Sequence, residues 1–146
     1  MPAHEVQVRV RYAETDKMGL VYYGNYFTYF EVGRTDLLRR VGMPYSQLEA
    51  EGIYFPVVDA QCKYLGAARY EDLLTVRTWI SNVRRTRLEF SYEIRRDGDQ
   101  ALVAAGVTTL VCMNKDFKPI EIPERLRELV TAELGGCGNP GPARTR

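Results

Sequence analysis

The chain of 146 residues is poor in histidine and cysteine, with a single histidine at His4. His4 lies near the N-terminus, where chains often fray, so a Ser-His-Asp or Cys-His triad and a His-rich metal site are disfavoured. The three cysteines, Cys62, Cys112 and Cys137, form neither a CxxC motif nor an even-numbered framework, which excludes zinc-ribbon and disulfide-scaffold classes. Cys62 and Cys112 lie in apolar runs and are expected in the core as inert small residues.

An excess of charge of one sign and long apolar runs are also missing. Twenty basic residues balance nineteen acidic ones, so no basic field predicts a nucleic-acid partner. No apolar run approaches the roughly 20 residues of a membrane helix, and the first residues lack the pattern of a signal peptide. A phosphate-binding glycine loop and a dinucleotide fingerprint are absent. We therefore expect a cytoplasmic protein with no metal, no cofactor and no integral membrane segment.

Hydrophobic periodicity predicts one α+β domain over residues 1–134 and a disordered tail over 135–146. Apolar residues at spacings of three and four predict a long helix that starts near Tyr22–Gly24 and ends at Val41, and a short helix is expected over 44–51. A terminal helix is expected over 123–134. Alternating or continuous apolar runs predict strands over 5–13, 58–64, 72–83, 87–95 and 101–113.

The long helix carries Gly33 on its apolar face, where glycine costs about 1 kcal/mol against alanine. That cost indicates close contact between the helix and a sheet. One amphipathic helix can cover only one face of the sheet, so the other face is expected to meet a second subunit.

The segment 12–26 combines features that suit acyl transfer or hydrolysis. Glu14 and Asp16 follow the first strand, and Gly19 lies in a short loop before the helix start. A helix N-terminus offers free backbone N–H groups that can stabilise an oxyanion, and a carboxylate beside it can act as base or nucleophile. The same residues also suit a plain role as helix caps or dipole partners.

A family resemblance attaches to this segment and to residues beyond it. The stretches VRYAETD (10–16) and GLVYYGNY (19–26), together with Phe30-Glu31 and Arg34, resemble the N-terminal signature of hotdog-fold acyl-CoA thioesterases. The similar groups are the 4-hydroxybenzoyl-CoA thioesterases and the Tol-Pal-associated acyl-CoA thioesterases. The resemblance spans about residues 5–130.

The resemblance implies a long central helix wrapped by a curved antiparallel sheet of about five strands. It implies a homodimer that often pairs again into a tetramer, with active sites between subunits and an acyl-CoA substrate. Asp16 matches the family's catalytic carboxylate, acting as nucleophile or general base, and the backbone N–H of Tyr23 matches the group that polarises the thioester carbonyl. The Tol-Pal group typically has histidine where Tyr23 stands, so a proton relay through that side chain is lost here.

Other residues are candidates for binding substrate. Tyr22 and Tyr26 flank the proposed site, and Arg84 and Arg85 can contact the phosphates of coenzyme A, although a solvated basic turn is the simpler interpretation. By resemblance, Thr86 lies near the thioester.

Three alternatives remain open. Glu14 could support Asp16 or share its role. Glu31 and Arg34 can pair on the helix surface or act near the site. The domain could also bind an acyl thioester or a protein partner without turnover, whereas a hotdog dehydratase would need a histidine in the site.

Overall fold

A computed structural model describes residues 3–137, with side chains described as far as residue 134. The elements in chain order are β1 (His4–Arg9), α1 (Asn25–Arg40), α2 (Tyr45–Ala50), β2 (Val57–Tyr64), β3 (Leu73–Val83), β4 (Arg87–Arg96), β5 (Leu102–Val111) and α3 (Glu124–Cys137). The strands form one antiparallel sheet in the order β1-β3-β4-β5-β2. The expected long helix and five-stranded antiparallel sheet are both confirmed.

Helix α1 packs closely on the sheet at two glycines. A Cβ atom at Gly33 would overlap Thr78 Oγ1 and lie 2.9 Å from Val76 Cγ1, so α1 rests directly on β3, as the buried glycine predicted. A Cβ at Gly106 would overlap the ring of Phe30, which stacks on Tyr92 with ring centroids 4.3 Å apart. The absence of these two side chains brings α1 against the centre of the sheet.

Helix α3 packs on the same face of the sheet as α1. It packs against β3, and its buried Leu126 and Val130 belong to the same hydrophobic cluster as Leu37 of α1 and Ile80 of β3. Two helices therefore cover this face of the sheet. No helix in residues 3–137 is long and apolar enough to cross a membrane.

Most predicted boundaries agree with the structure to within one or two residues, and two differ by more. Strand β1 ends at Arg9 instead of continuing to residue 13, because a 3₁₀ turn at Tyr12–Glu14 interrupts the alternation. Helix α3 continues to Cys137, three residues into the predicted tail, because Gly135 and Gly136 do not stop it. The rest of that tail, 138–146, lies outside the described residues.

Strand β2 forms one edge of the sheet and is open on its outer side. Among residues 3–137 only β5 pairs with it, and seven of its eight residues are exposed, including Val57, Val58 and Tyr64. An edge with unpaired N–H and C=O groups is a template for pairing with another strand.

Candidate active site

Asp16 anchors the short hairpin that leads from β1 to α1. Its Oδ1 accepts hydrogen bonds from the backbone N–H of Met18 at 2.9 Å and of Leu20 at 3.2 Å. Its own N–H donates to Leu20 O at 2.7 Å, and Gly19 adopts a positive φ of 83° at the turn. Within the described chain, Oδ2 of Asp16 has no hydrogen-bond partner, so one carboxylate oxygen is fixed while the other is free to react.

The backbone before α1 supplies unpaired donors. Gly24 caps the helix, and neither the N–H of Tyr23 nor that of Gly24 donates to an acceptor among residues 3–137. The hairpin is held to the preceding 3₁₀ turn because Glu14 O accepts from the N–H of Tyr22 and from Asn25 Nδ2, both at 2.9 Å. The Asp16 carboxylate and two free N–H groups at the start of α1 therefore belong to one segment, which these hydrogen bonds hold in place.

The Glu14 side chain links the Asp16 hairpin to the core. Its Oε1 accepts from the Tyr29 hydroxyl at 2.8 Å and from the backbone N–H of Arg11 at 3.0 Å, and Oε2 pairs with Arg11 Nε at 2.8 Å. Burial alone would raise the pKa of Glu14, but these hydrogen bonds outweigh it and lower the pKa below its usual value. These hydrogen bonds all hold the local fold together, which favours the supporting role for Glu14 over a shared catalytic one.

Four tyrosines cluster around the helix start. Tyr22 and Tyr23 are exposed and lie 4.7 Å apart between ring centroids, while Tyr26 is 3% exposed and meets Tyr64 edge-on at 5.6 Å. The Tyr64 hydroxyl donates to Tyr23 O at 3.2 Å. Tyr22, Tyr23 and Tyr64 are therefore the members that a ligand can touch, and Tyr26 packs against Tyr64 from the core. Tyr64 was missed as part of the site, because nothing local links it to a residue 41 positions away.

Cys62 and Cys112, the cysteines whose side chains the structure describes, supply no nucleophile to this region. Burial raises the pKa of Cys62 and of Cys112 to about 11, so both thiols are protonated at neutral pH. Cys112 is buried as expected and Cys62 is half-buried. In the described part of the chain, no group of three or more His, Cys, Asp or Glu residues could hold a metal ion.

Arg84, Arg85 and Thr86 lie in the turn between β3 and β4, at the other end of the sheet from Asp16. Strand β1 leads into the Asp16 hairpin from the Leu73 end of β3, and β3 is 11 residues long. At about 3.3 Å a residue, its two ends are about 33 Å apart. Arg85 pairs with Glu121 at 3.3 Å, and both its carbonyl and that of Arg84 accept from Arg127. One subunit does not bring these residues to Asp16.

Comparisons with known proteins decide the family. The family model described as the thioesterase superfamily matches residues 18–103. The acyl-CoA thioester hydrolase YbgC of Escherichia coli O157:H7 is 32% identical over 120 residues, which are 82% of this chain and 89% of that protein. The chain belongs to the thioesterase superfamily.

Solved structures confirm the fold of this thioesterase. The DHNA-CoA thioesterase of Staphylococcus aureus is 36% identical, with a TM-score of 0.86 over 90% of this chain and 91% of that one. A 4-hydroxybenzoyl-CoA thioesterase, at 24% identity and a TM-score of 0.81 over 89% and 99% of the two chains, shares the fold. The predicted hotdog fold is therefore confirmed, and so is the family resemblance.

Arg34 of this thioesterase does not form the surface ion pair with Glu31 that their spacing suggested. No acidic group within the described residues forms an ion pair with Arg34, and its Nη1 donates instead to the Tyr92 hydroxyl at a long 3.5 Å. Arg34 is half-buried beside Tyr45 and lines a cavity with Glu31. A charged side chain drawn inward from the helix is a feature that the sequence pattern did not reveal.

Proposed function

We propose that this thioesterase hydrolyses an acyl-CoA to the free acid and coenzyme A, with Asp16 as the reacting carboxylate. The observation that carries the proposal is the hairpin geometry, in which Asp16 has one anchored oxygen and one free oxygen beside unpaired N–H groups at the start of α1. The name of the E. coli relative, an acyl-CoA thioester hydrolase, supports the same substrate class.

The Tyr23 N–H would donate to the thioester carbonyl oxygen. Negative charge develops on that oxygen as the carbonyl carbon becomes tetrahedral, and an oriented N–H at the positive end of a helix stabilises it. This contribution does not depend on the side chain, so tyrosine in place of histidine leaves it intact.

The free Oδ2 of Asp16 can act in two ways. As a nucleophile it bonds to the carbonyl carbon, the C–S bond breaks and coenzyme A leaves as the thiolate, and water then hydrolyses the mixed anhydride. As a general base it takes a proton from water while the resulting hydroxide bonds to the carbon, and the same C–S bond breaks. Both routes yield the acid and coenzyme A, and the geometry supports either one.

A second subunit would complete the site by pairing along β2. In an antiparallel pair of β2 strands, the Tyr64 end of one copy lies beside the Val57 end of the other. Through β5 and β4, the Val57 end belongs to the end of the sheet that carries Arg84–Thr86. The partner's basic turn would then approach this subunit's Asp16, where it can contact the phosphates of coenzyme A. Pairing of dimers into a tetramer and a cytoplasmic location stay predictions.

Substitution of Asp16 by asparagine tests the role of the carboxylate. Asparagine keeps an acceptor oxygen for the N–H groups of Met18 and Leu20 but removes the charge. We expect kcat for thiol release from acyl-CoA to fall by about 10²- to 10⁴-fold, which is the usual contribution of a general base, with little change in Tm. Asp16→Ala, which also loses the two loop hydrogen bonds, should lower Tm as well.

Two outcomes would contradict the proposal in different ways. If Asp16→Asn hydrolyses acyl-CoA as fast as wild type, another group carries the chemistry. If the wild-type protein binds coenzyme A but releases thiol from no acyl-CoA in a panel from acetyl to palmitoyl, the domain is the binding module that the sequence left open.

A further inference from the structure

A cavity of about 300 Å³ lies between α1, α2 and the segment before β2. A second cavity of about 270 Å³ lies next to it, between α1 and β2, and shares Glu31 and Arg34 with the first. Other residues that line the first cavity are Tyr45, Glu49, Tyr54, Phe55, Pro56 and Phe117. The shared residues make the two spaces one groove along α1.

The groove contains polar groups that the fold does not satisfy. Arg34 Nε and Tyr45 Oη are buried beside each other, and neither makes a well-aligned hydrogen bond within residues 3–137. The Tyr45 oxygen can accept from Arg34, but its own O–H still lacks an acceptor. Buried polar atoms are nearly always hydrogen-bonded, so this donor points to an acceptor supplied by what binds there. Burial also raises the pKa of Tyr45, which keeps its hydroxyl protonated as a donor.

The groove begins at Phe27 and Thr28 in the first turn of α1 and runs along one face of the helix. Phe27, Glu31 and Arg34 are three or four residues apart and so share that face, and Tyr23 lies two residues before the helix begins. Eleven residues at 1.5 Å place the Arg34 backbone about 16 Å from that of Tyr23, and helical side chains lean toward the N-terminus, which shortens the gap. A straight acyl chain of about eight carbons would therefore reach Arg34.

The charges around the cavity favour a neutral ligand end. The exposed carboxylates of Glu31 and Glu49 line the same space as Arg34. They would repel a carboxylate on the ligand. A carbonyl or hydroxyl oxygen can accept from Arg34 and Tyr45 without that electrostatic repulsion. A plain hydrocarbon end would displace solvent from both donors and leave them unpaired.

We propose that Arg34 and Tyr45 select acyl groups that carry a neutral oxygen near their distal end. The proposal rests on the proposed acyl-CoA hydrolysis and assigns its substrate class. A site built to hydrogen-bond a substrate oxygen discriminates strongly against an analogue that lacks this oxygen, because the site's own donors are then left without a hydrogen-bond partner. Arg34 and Tyr45 are thus specificity-determining residues and take no part in bond cleavage.

Matched substrate pairs test this selection. Hexanoyl-, octanoyl- and decanoyl-CoA are each compared with the analogue that bears a ketone one carbon from the chain end, and kcat/KM is measured by thiol release. For the eight-carbon pair, the wild type should prefer the ketone about tenfold or more. Tyr45→Phe should bring the ratio to within about threefold of one, mainly through KM, with Tm unchanged or higher because the lost hydroxyl makes no well-aligned hydrogen bond. The exposed Tyr70→Phe is the control and should leave the ratio unchanged.

Each contrary result has a separate meaning. Equal kcat/KM for both members of every pair in the wild type would overturn the selection while leaving the proposed hydrolysis intact. A preference that survives in Tyr45→Phe, or a fall in Tm of that variant, would also overturn it, because the hydroxyl would then serve the fold. Release of thiol from none of the six substrates would overturn both proposals.

Discussion

The hydrogen bond between Tyr29 and Glu14 ties the Asp16 hairpin to the core, and its removal tests that coupling. Tyr29→Phe deletes one hydroxyl and keeps the ring, which is 1% exposed and packs edge-on to Tyr26 at 5.9 Å. Glu14 would keep its bonds from the N–H and the guanidinium of Arg11. The variant therefore loses one defined interaction and creates no cavity.

The magnitude follows from the charge of the acceptor. A hydrogen bond to an ionised group contributes about 1.5–3 kcal/mol to stability, compared with about 1 kcal/mol for a neutral pair. We expect Tyr29→Phe to lower the free energy of unfolding by about 2 kcal/mol at pH 7. For a chain of this length that corresponds to a fall in Tm of roughly 6 °C. Because the hairpin carries Asp16, kcat should fall with it.

The effect should depend on pH in a definite direction. Folding lowers the pKa of Glu14 below its ordinary value of 4.5, so the carboxylate binds fewer protons in the folded chain than in the unfolded one. Its stabilisation is complete above pH 4.5 and is lost as the pH falls through the lowered folded pKa. The difference in stability between wild type and Tyr29→Phe should shrink over that range toward the value of a neutral hydrogen bond.

Urea unfolding at a series of pH values between 7 and 3 measures this difference. Tyr12→Phe makes the same chemical change at a residue that is 78% exposed and should leave the unfolding curve unchanged. A difference for Tyr29→Phe below about 0.5 kcal/mol at pH 7, or one that does not shrink in acid, would refute a charge-assisted bond between Tyr29 and Glu14.

Two further substitutions test the packing of α1 and the pairing of β2. Gly33→Ala places a methyl group against Thr78 and Val76. Overpacking should outweigh the gain in helix propensity, so the free energy of unfolding in urea should fall by about 2 kcal/mol. A variant as stable as wild type would contradict the close contact. Val58→Lys on the exposed edge should shift the protein to monomers in light scattering and lower kcat/KM, whereas Glu5→Lys on the opposite edge should do neither.

The strands and the long helix were predictable because their signals are local. Alternation along β4 sets its faces, and the buried glycine of α1 at position 33 implied a close sheet contact that the structure confirms. The end of β1 was not predictable in this way. Val10 and Tyr12 continue the alternation, but the Glu14 carboxylate accepts from the Arg11 N–H and turns the chain into a 3₁₀ helix.

The site was only partly predictable because two of its features depend on residues distant in sequence. The spacing of Glu31 and Arg34 indicates a surface pair, but Tyr92 on β4 and Tyr45 on α2 surround Arg34 from the inner side. The position of Arg84 relative to Asp16 depends on strand register and length, which periodicity does not give. The Asp16 turn was accessible from sequence because the hydrogen bonds of Asp16 itself lie within residues 16–20.

The scarcity of histidine is consistent with a thioester substrate. His4 is bound to Glu133 at 2.9 Å, where it joins β1 to α3, so it is committed to the fold. Amines and alkoxides need a proton as they leave, and enzymes usually supply it from histidine. A thiol is far more acidic than an amine or an alcohol (pKa about 8.5 for the cysteine side chain), so it can leave as the thiolate without a proton donor. The proposed site, with one free carboxylate oxygen and backbone N–H groups, therefore matches a thioester, whose leaving group needs no dedicated proton donor.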